Sequence, residues 1–352
     1  MSKSYTLFFS LFFISILLFS GCTQKDSSSA EDTSQTAQGT ETQEPSPEFL
    51  KGFSLSPKSF SSEDFTGFFE IATKTPETQN PKPKTIISWA GDWEQLNIES
   101  SAPFVVSELS STYKYLPLIE VQFFTQSTGE LLRPLDEATK QNYKSFALSF
   151  IEKYKPKYFA IGIEVNVLYE KSPEEFDNFV LFFNELYTSI KEISPDTKVF
   201  TIFQLEKIKG LNGGLFGGVN DPSKNEWFLL EEFQNSDLFA FTSYPSLIYP
   251  NPSEIPADYY SEISSHTSKP IAFAEIGWHS ASSPVGWESS EEEQGEFISV
   301  FFDRIESLDN EFVLWSFLYD QNTIEPFNSM GLFGSEGKKK LAFDIWKNIT
   351  SN

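Results

Sequence analysis

From residue 49 onward, short apolar runs alternate along the chain with longer segments in which apolar residues recur every three or four positions. Short runs of this kind are typical of buried strands, and the longer spacing is typical of amphipathic helices. Eight runs have the length and composition of strands: Gly52–Ser56, Thr85–Trp89, Leu118–Phe124, Tyr158–Glu164, Val199–Gln204, Leu238–Tyr244, Ile271–Glu275 and Phe312–Phe317. Because each strand is followed by a helical segment, the pattern predicts a parallel sheet.

The helical segments carry the start signals and apolar stripes expected of helices that cover a sheet. The segment "SPEEFDNFVLFFNELYTSIKEI" begins with Ser-Pro-Glu-Glu and places an apolar stripe at helical spacing. Eight strands alternating with helices predict an α/β fold, a (β/α)8 TIM barrel spanning residues 49–352. A doubly wound open sheet is the alternative. No glycine-rich fingerprint follows the first strand, so the sequence gives no support to a dinucleotide site.

The first residues have a different pattern. Lys3 precedes a mostly apolar stretch, Leu7–Phe19, that is too short for a comfortable membrane span. Cys22 is the only cysteine of the chain, and "FSGC" resembles the bacterial lipobox, in which the cysteine thiol takes a diacylglycerol. We therefore predict a lipoprotein signal peptide at residues 1–21 and lipidation of Cys22. An ordinary cleaved signal peptide is the alternative.

Residues 22–48 lack the apolar residues that a folded segment needs. They contain no aromatic side chain, and from Thr23 to Glu48 no aliphatic one larger than alanine. Such a segment cannot bury enough apolar surface to offset the entropy of ordering, which predicts a disordered tether. We therefore expect a membrane-anchored lipoprotein whose folded domain lies at the cell exterior or on the periplasmic face.

The charge balance restricts the choice of ligand. The chain has 26 Lys and Arg against 50 Asp and Glu, a formal net charge of −24. Such a surface repels phosphate backbones, so we expect no nucleic-acid partner. A neutral ligand fits better than an acidic polysaccharide bound over a broad face, although a single basic pocket is compatible with the composition. The two histidines show no metal-ligand spacing, so we expect no metal and no cofactor. We expect a monomer.

Two carboxyl side chains stand at the ends of predicted strands. Glu164 ends the predicted strand in "YFAIGIEVN", and Glu275 ends the predicted strand in "IAFAEIGW". Catalytic residues of this fold come from the carboxyl ends of the strands, where the fourth and seventh strands face each other across the mouth of the barrel. Cleavage of a glycosidic bond with retention uses two carboxyl groups about 5–5.5 Å apart. The pair therefore predicts a glycosidase.

The same two stretches resemble known motifs. "IGIEVN" and "AEIGW" are similar to the strand-four and strand-seven motifs of the clan A glycoside hydrolases, nearest to the endo-β-1,4-galactanase and endo-β-1,3-glucanase branches. The resemblance implies that Glu164 is the acid/base and Glu275 the nucleophile. It also implies that Tyr244, in "FTSYP", hydrogen-bonds the nucleophile. Trp315, in "VLWSF", matches the tryptophan platform under the reacting sugar.

The resemblance implies a cell-surface retaining glycoside hydrolase that acts on a β-linked oligosaccharide or polysaccharide. One position departs from the motif. The family places asparagine directly before the acid/base, where it bonds the sugar 2-hydroxyl, and this chain has Ile163. The alternative is therefore a catalytically weak or inactive carbohydrate-binding barrel.

Further residues near the predicted strand ends are candidates for sugar contacts. Aromatic rings stack well on the C–H faces of sugars, although large apolar side chains are more often part of the core. The further substrate-binding candidates are Trp89, Trp93, Asn166, Gln204, Trp278 and His279. We expect the glycine-rich stretch "GGLFGG", Gly213–Gly218, to form a loop at the rim of the cleft.

Overall fold

The computed structural model describes residues 49–74, 85–284 and 286–349. The predicted signal peptide, the tether and Cys22 lie outside the described residues. Within those three ranges, no helix has both the length and the apolar character needed to cross a membrane.

The described chain forms one parallel sheet of nine strands. The strands are β1 (Leu50–Ser54), β2 (Thr85–Asp92), β3 (Leu116–Gln122), β4 (Tyr158–Ile161), β5 (Lys198–Phe200), β6 (Ile202–Gln204), β7 (Phe239–Ser243), β8 (Ile271–Ile276) and β9 (Asn310–Trp315). Only Thr201 separates β5, which pairs with β4, from β6, which pairs with β7. Because β1 also pairs with β9, and β5 leads directly into β6, the sheet forms a nearly closed barrel. The predicted α/β barrel is confirmed, with its fifth strand divided in two.

The helices lie between the strands and pack on the outside of the barrel. They are α1 (Ser62–Ala72), α2 (Ala102–Tyr113), α3 (Glu137–Tyr154), α4 (Val165–Lys171), α5 (Pro173–Ile193), α6 (Leu205–Ile208), α7 (Glu291–Ile305) and α8 (Leu341–Asn348). In α5, Pro173 opens the first turn, and the predicted stripe from Phe176 to Ile190 is buried. Between β7 and β8, by contrast, the described chain has only short 3-10 turns.

The core has two layers that follow from the alternation of side chains along each strand. Inward-facing residues fill the barrel with small alanines, such as Ala160 and Ala240, packed around larger rings, such as Phe200 and Phe312. Outward-facing residues meet the helices in a second and larger layer that is rich in phenylalanine. The barrel is therefore a filled core, and a pocket for a ligand can form only above it, at the carboxyl ends of the strands.

Candidate active site

A pocket of about 250 Å³ lies at the carboxyl ends of the strands. Glu164 and Glu275 both line it, together with Tyr244 and Gln204. The structure thus brings the two predicted carboxyl groups to one site. In the described part of the chain, no group of His, Cys, Asp or Glu side chains is arranged to hold a metal ion.

Glu164 reaches the pocket through a sharp change of backbone direction. The predicted strand continued to Glu164, but β4 ends at Ile161 because Gly162 and Glu164 both adopt positive φ, +83° and +58°. Gly162 suits this bend, since a Cβ there would lie 2.6 Å from Cγ1 of Val165. A non-glycine residue in the left-handed region is uncommon, and such strain is concentrated at functional sites. Thr242 Oγ1 donates a hydrogen bond of 2.7 Å to Oε1 of Glu164.

Glu275 reaches the pocket through a β-bulge. In β8, Ala272 and Ala274 both belong to the inner layer of the barrel, so strict alternation would point the next residue outward. The register between β7 and β8 shifts at this point, since Phe241 pairs with Phe273 and Thr242 pairs with Glu275. The extra residue re-aims the following side chain, and Glu275 therefore lines the pocket.

The two carboxyl groups have raised pKa values. Burial raises the pKa of Glu164 to about 7, and the charge of Glu275 adds to the rise, while the Thr242 hydrogen bond opposes it. Burial also raises the pKa of Glu275, and the hydroxyl of Tyr244, which donates a hydrogen bond to Oε2, opposes that rise. The hydrogen bond from Tyr244 thus favours the ionised form of Glu275, whereas the pKa of about 7 keeps a large share of Glu164 protonated near neutral pH.

Tyr244 is held in place by a buried carboxylate that the sequence analysis missed. Oε1 of Glu206 accepts hydrogen bonds from the backbone N–H of Tyr244 at 3.1 Å, from Ser243 Oγ at 2.9 Å and from Tyr259 Oη at 2.8 Å. Oε2 accepts one from Gln204 Nε2 at 2.6 Å. Burial raises the pKa of Glu206, and these donors oppose the rise. Glu206 lies two residues after the predicted end of the fifth strand, and this position is the sequence signal by which it could have been found.

Two predicted polar residues have different roles in the structure. Gln204 lines the pocket, where its side chain joins Glu206. Asn166 is fully buried and does not line the pocket. Its side chain bonds the backbone of Gln204 in both directions, at 3.0 Å and 2.8 Å, and so ties α4 to β6. The prediction of a direct sugar contact at Asn166 is therefore wrong.

The four predicted tryptophans do not line the pocket. Trp89, Trp93, Trp278 and Trp315 all belong to the buried layer between strands and helices. Trp315, for example, is fully buried, and its Nε1 donates to the carbonyl oxygen of Met330 at 2.8 Å. The predictions of sugar platforms at these positions are wrong, because the outward-facing positions of the barrel are where large rings bury most area.

His279 is also fully buried and away from the pocket. Its Nε2 lies 3.3 Å from the carbonyl oxygen of Trp287, and burial lowers its pKa. The prediction that it contacts substrate is therefore wrong. The imidazole contacts the backbone of Trp287 and so belongs to the packing of the segment after β8.

The aromatic wall of the pocket comes from residues that the sequence analysis did not single out. Phe216 and Phe327 line the pocket, and Phe327 packs edge-on against Tyr244 with ring centroids 5.0 Å apart. Phe216 lies in the glycine-rich stretch Gly213–Gly218, which the structure places at the pocket as expected. The glycine-rich stretch is therefore the sequence signal by which Phe216 could have been found.

Comparisons with known proteins give matches at the level of structure. No family model matches the chain, and no curated protein matches its sequence. A family 39 glycoside hydrolase from Bacteroides cellulosilyticus WH2 matches with a TM-score of 0.60 at 14% identity, over 87% of this chain and 64% of that one. An exo-β-1,4-mannosidase from Opitutaceae bacterium strain TAV5 matches with a TM-score of 0.60 at 12% identity, over 84% and 58%.

A third similar structure is the Bifidobacterium dentium β-glucuronidase, with a TM-score of 0.54 at 13% identity, over 86% of this chain and 47% of that one. This chain therefore spans between about half and two thirds of the length of these three proteins. None of the three is a galactanase or a glucanase, and the resemblance to those branches stays a prediction. The likeness shows that this chain folds as the barrel found in these glycosidases.

Proposed function

We propose that the protein is a retaining glycoside hydrolase that cleaves a β-linked oligosaccharide or polysaccharide. The observation that carries the proposal is the pair Glu164 and Glu275, which lie at the carboxyl ends of β4 and β8, line one pocket and have different hydrogen-bond partners. The similar structures are glycosidases by name, which is consistent with this chemistry on this fold.

Each carboxyl group is suited to one role. Glu164, whose pKa burial raises to about 7, holds a proton near neutral pH and can donate it to the leaving oxygen. Glu275, ionised and aligned by the hydroxyl of Tyr244, attacks the anomeric carbon. The covalent intermediate removes the charge of Glu275, which lowers the pKa of Glu164 and lets it activate water in the second step.

The test uses 4-nitrophenyl β-glycosides, whose leaving group needs no proton. Wild-type protein should release nitrophenol from at least one of the gluco, galacto, manno and glucurono compounds. Glu275→Ala should abolish turnover, and added azide should restore it with an inverted, α-configured glycosyl azide. Glu164→Ala should keep its first step and give a retained, β-configured azide. Glu185→Ala on the outer surface of α5 serves as control, because its carboxylate pairs with Lys144, far from the pocket.

Proton NMR of the products distinguishes the outcomes. An inverted azide from Glu164→Ala and a retained one from Glu275→Ala would reverse the two assignments. An α-anomeric first product from the wild-type protein would contradict retention. If no nitrophenol is released from any compound, the proposal that the protein is a glycosidase is contradicted.

The second candidate is a carbohydrate-binding barrel without turnover, and one observation favours it. Ile163 lines the pocket beside Glu164, at the position where the related motif has asparagine. An isoleucine cannot donate the hydrogen bond to the sugar 2-hydroxyl that strengthens in the transition state. Oligosaccharide binding measured by calorimetry, in the absence of any product, would favour this candidate. If Ile163→Asn restores turnover, the missing hydrogen bond to the sugar 2-hydroxyl is the reason for the lack of activity.

We also propose that the protein is a membrane-anchored lipoprotein at the cell exterior or periplasmic face. The support is the sequence ending in Cys22 and the polar segment that follows it. In cells fed a radiolabelled fatty acid, label should enter the wild-type protein and be lost in Cys22→Ala. Equal labelling of both would contradict the anchor.

A further inference from the structure

Positive charge is concentrated at one wall of the pocket. Lys171, the last residue of α4, and Lys207, in α6, both line the pocket that holds Glu164 and Glu275. The chain as a whole carries a formal net charge of −24, so two ammonium groups beside one pocket depart from the general pattern. The two lysines are the basic residues among the side chains that line it.

The two lysines are spaced to hold a single carboxylate. Lys171 Nζ donates to Oε1 of Glu170 at 2.7 Å, and Lys207 Nζ donates to Oε2 of the same residue at 2.6 Å. One carboxylate therefore bridges both ammonium groups, one oxygen to each. Charge-assisted hydrogen bonds are stronger than neutral ones, so the same two ammonium groups can hold the carboxylate of a ligand in this way.

The position of Lys207 is fixed at the pocket wall. Its Nζ lies 5.3 Å from the ring centroid of Phe216, which also lines the pocket. The Lys207 side chain is 17% exposed, whereas that of Glu170 is 38% exposed. Glu170 can therefore turn toward water while Lys207 stays, and an exposed ion pair contributes little to stability.

The neighbouring acidic group does not cancel this charge in mildly acidic solution. Burial raises the pKa of Glu226 to about 7, the charge of Glu170 adds to the rise, and the charge of Lys207 opposes it. Below pH 7 Glu226 is therefore mostly neutral.

A polar group that has no partner completes this side of the pocket. Ser127 lines the pocket, and its Oγ is buried without a hydrogen-bond partner among the described residues. Its loop packs on Lys171, since a Cβ at Gly129 would lie 2.3 Å from Cβ of Lys171. A buried hydroxyl without a partner costs free energy, so this wall of the pocket holds an unused hydrogen-bonding group.

We propose that Lys171 and Lys207 form a subsite for the carboxylate of a hexuronic acid, which takes the place of Glu170 between the two ammonium groups. The inference rests on the proposed function, because it names the substrate class of the same pocket. It replaces the expectation of a neutral ligand with that of an acidic sugar bound at one basic wall. A planar carboxylate fits, because the two lysines already hold one.

The test compares matched 4-nitrophenyl β-glycosides at pH 6 and low salt: glucuronide against glucoside, and galacturonide against galactoside. The measured quantity is the ratio of kcat/KM for the acid to that for its neutral partner. Lys207→Met should lower this ratio at least tenfold, through KM. Glu170→Gln removes the competing carboxylate and should raise the ratio several-fold. Lys144→Met, which removes a lysine from the outer helices, should leave it unchanged.

The two proposals fail in different ways. Turnover with a ratio near one, or a ratio that neither Lys207→Met nor Glu170→Gln changes, would overturn the subsite and leave the glycosidase intact. If no compound is turned over, calorimetry with free D-glucuronate and D-galacturonate against D-glucose and D-galactose decides. Binding of the acids alone, lost in Lys207→Met, would support the subsite although the glycosidase proposal had failed. Equal binding of acid and neutral sugars, or no binding, would overturn it.

Discussion

The ends of β4 and β8 bring a carboxyl group to the same pocket by different means. At the end of β4, two residues with positive φ turn the chain out of the sheet and aim Glu164. At the end of β8, the chain stays in the sheet, and a bulge at Ala274 rotates Glu275 inward. The first device depends on strained dihedral angles and the second on strand register. Each therefore responds to a different kind of change.

The largest effect should come from removing the bulge. Deletion of Ala274 removes the bulge and places Glu275 in the inward-facing position of Ala274, about 3.3 Å lower in the barrel, which should lower kcat/KM by about 1,000-fold or more. Ala274→Gly keeps the register and should stay within a few-fold of wild type. Circular dichroism must show that the deletion variant is folded. A folded deletion variant with wild-type kcat/KM would contradict the role of the bulge.

The next effect concerns the partner of Glu275. Tyr244→Phe removes the hydroxyl that bonds its carboxylate and should lower kcat about 10- to 100-fold, the range expected for a hydrogen bond to a charged group. The pKa of Glu275 should rise, because that bond holds it down. The acid limb of the kcat/KM profile should therefore move to higher pH. Tyr154→Phe on the outer surface is the control, and an unmoved acid limb would show that Tyr244 does not act on Glu275.

The alkaline limb of the kcat/KM profile should depend on Glu164, which follows β4. Glu164 must be protonated to donate, and burial raises its pKa to about 7, so kcat/KM should fall about tenfold per pH unit above that value. The limb should be absent for a substrate whose leaving group needs no proton. Stopped assays on matched aryl and alkyl glycosides from pH 5 to 9 measure both. An alkaline limb of equal size for both substrates would argue against Glu164 as the acid.

The smallest effect concerns the backbone bend after β4 and is measured as a change in the stability of the fold. Gly162→Ala adds a Cβ at a φ of +83° and 2.6 Å from Val165 Cγ1, so it should destabilise the fold by about 1–3 kcal/mol. Gly67→Ala is the matched control, because it lies in α1 with nothing within 4 Å of the added Cβ. It should stabilise by about 0.5–1 kcal/mol. Thermal melts compare the two, and equal shifts would mean that the bend carries no strain.

The fold and the two carboxyl positions could be predicted from sequence because they depend on patterns that one strand or helix displays by itself. The alternation of strand and helix gave the barrel, and a carboxyl at the end of an apolar run is visible in "AEIGW". The bulge at Ala274 could not be predicted, since register is a property of three paired strands.

The walls of the pocket were harder to predict, for a physical reason. A tryptophan near a strand end is compatible with a sugar platform and with the core, and the choice depends on which face of the strand it occupies. Trp278 and Trp315 face the helices, where burial gains more area. Phe216 and Lys207 come from the segments after β6, whose path the chain pattern does not reveal.

The coverage of the barrel is uneven in a way that bears on the ligand. From β6 to β8 the outer layer is made mainly of 3-10 turns, whereas α5 alone gives the β4 side 21 residues of continuous helix. The hydrogen bonds of 3-10 turns have poorer geometry, so their amide protons should exchange with solvent sooner than those of α5. Leu215, Phe216 and Leu247 stand on these turns. We therefore expect the wall of the pocket that these turns form to open locally more often than the wall beside α5.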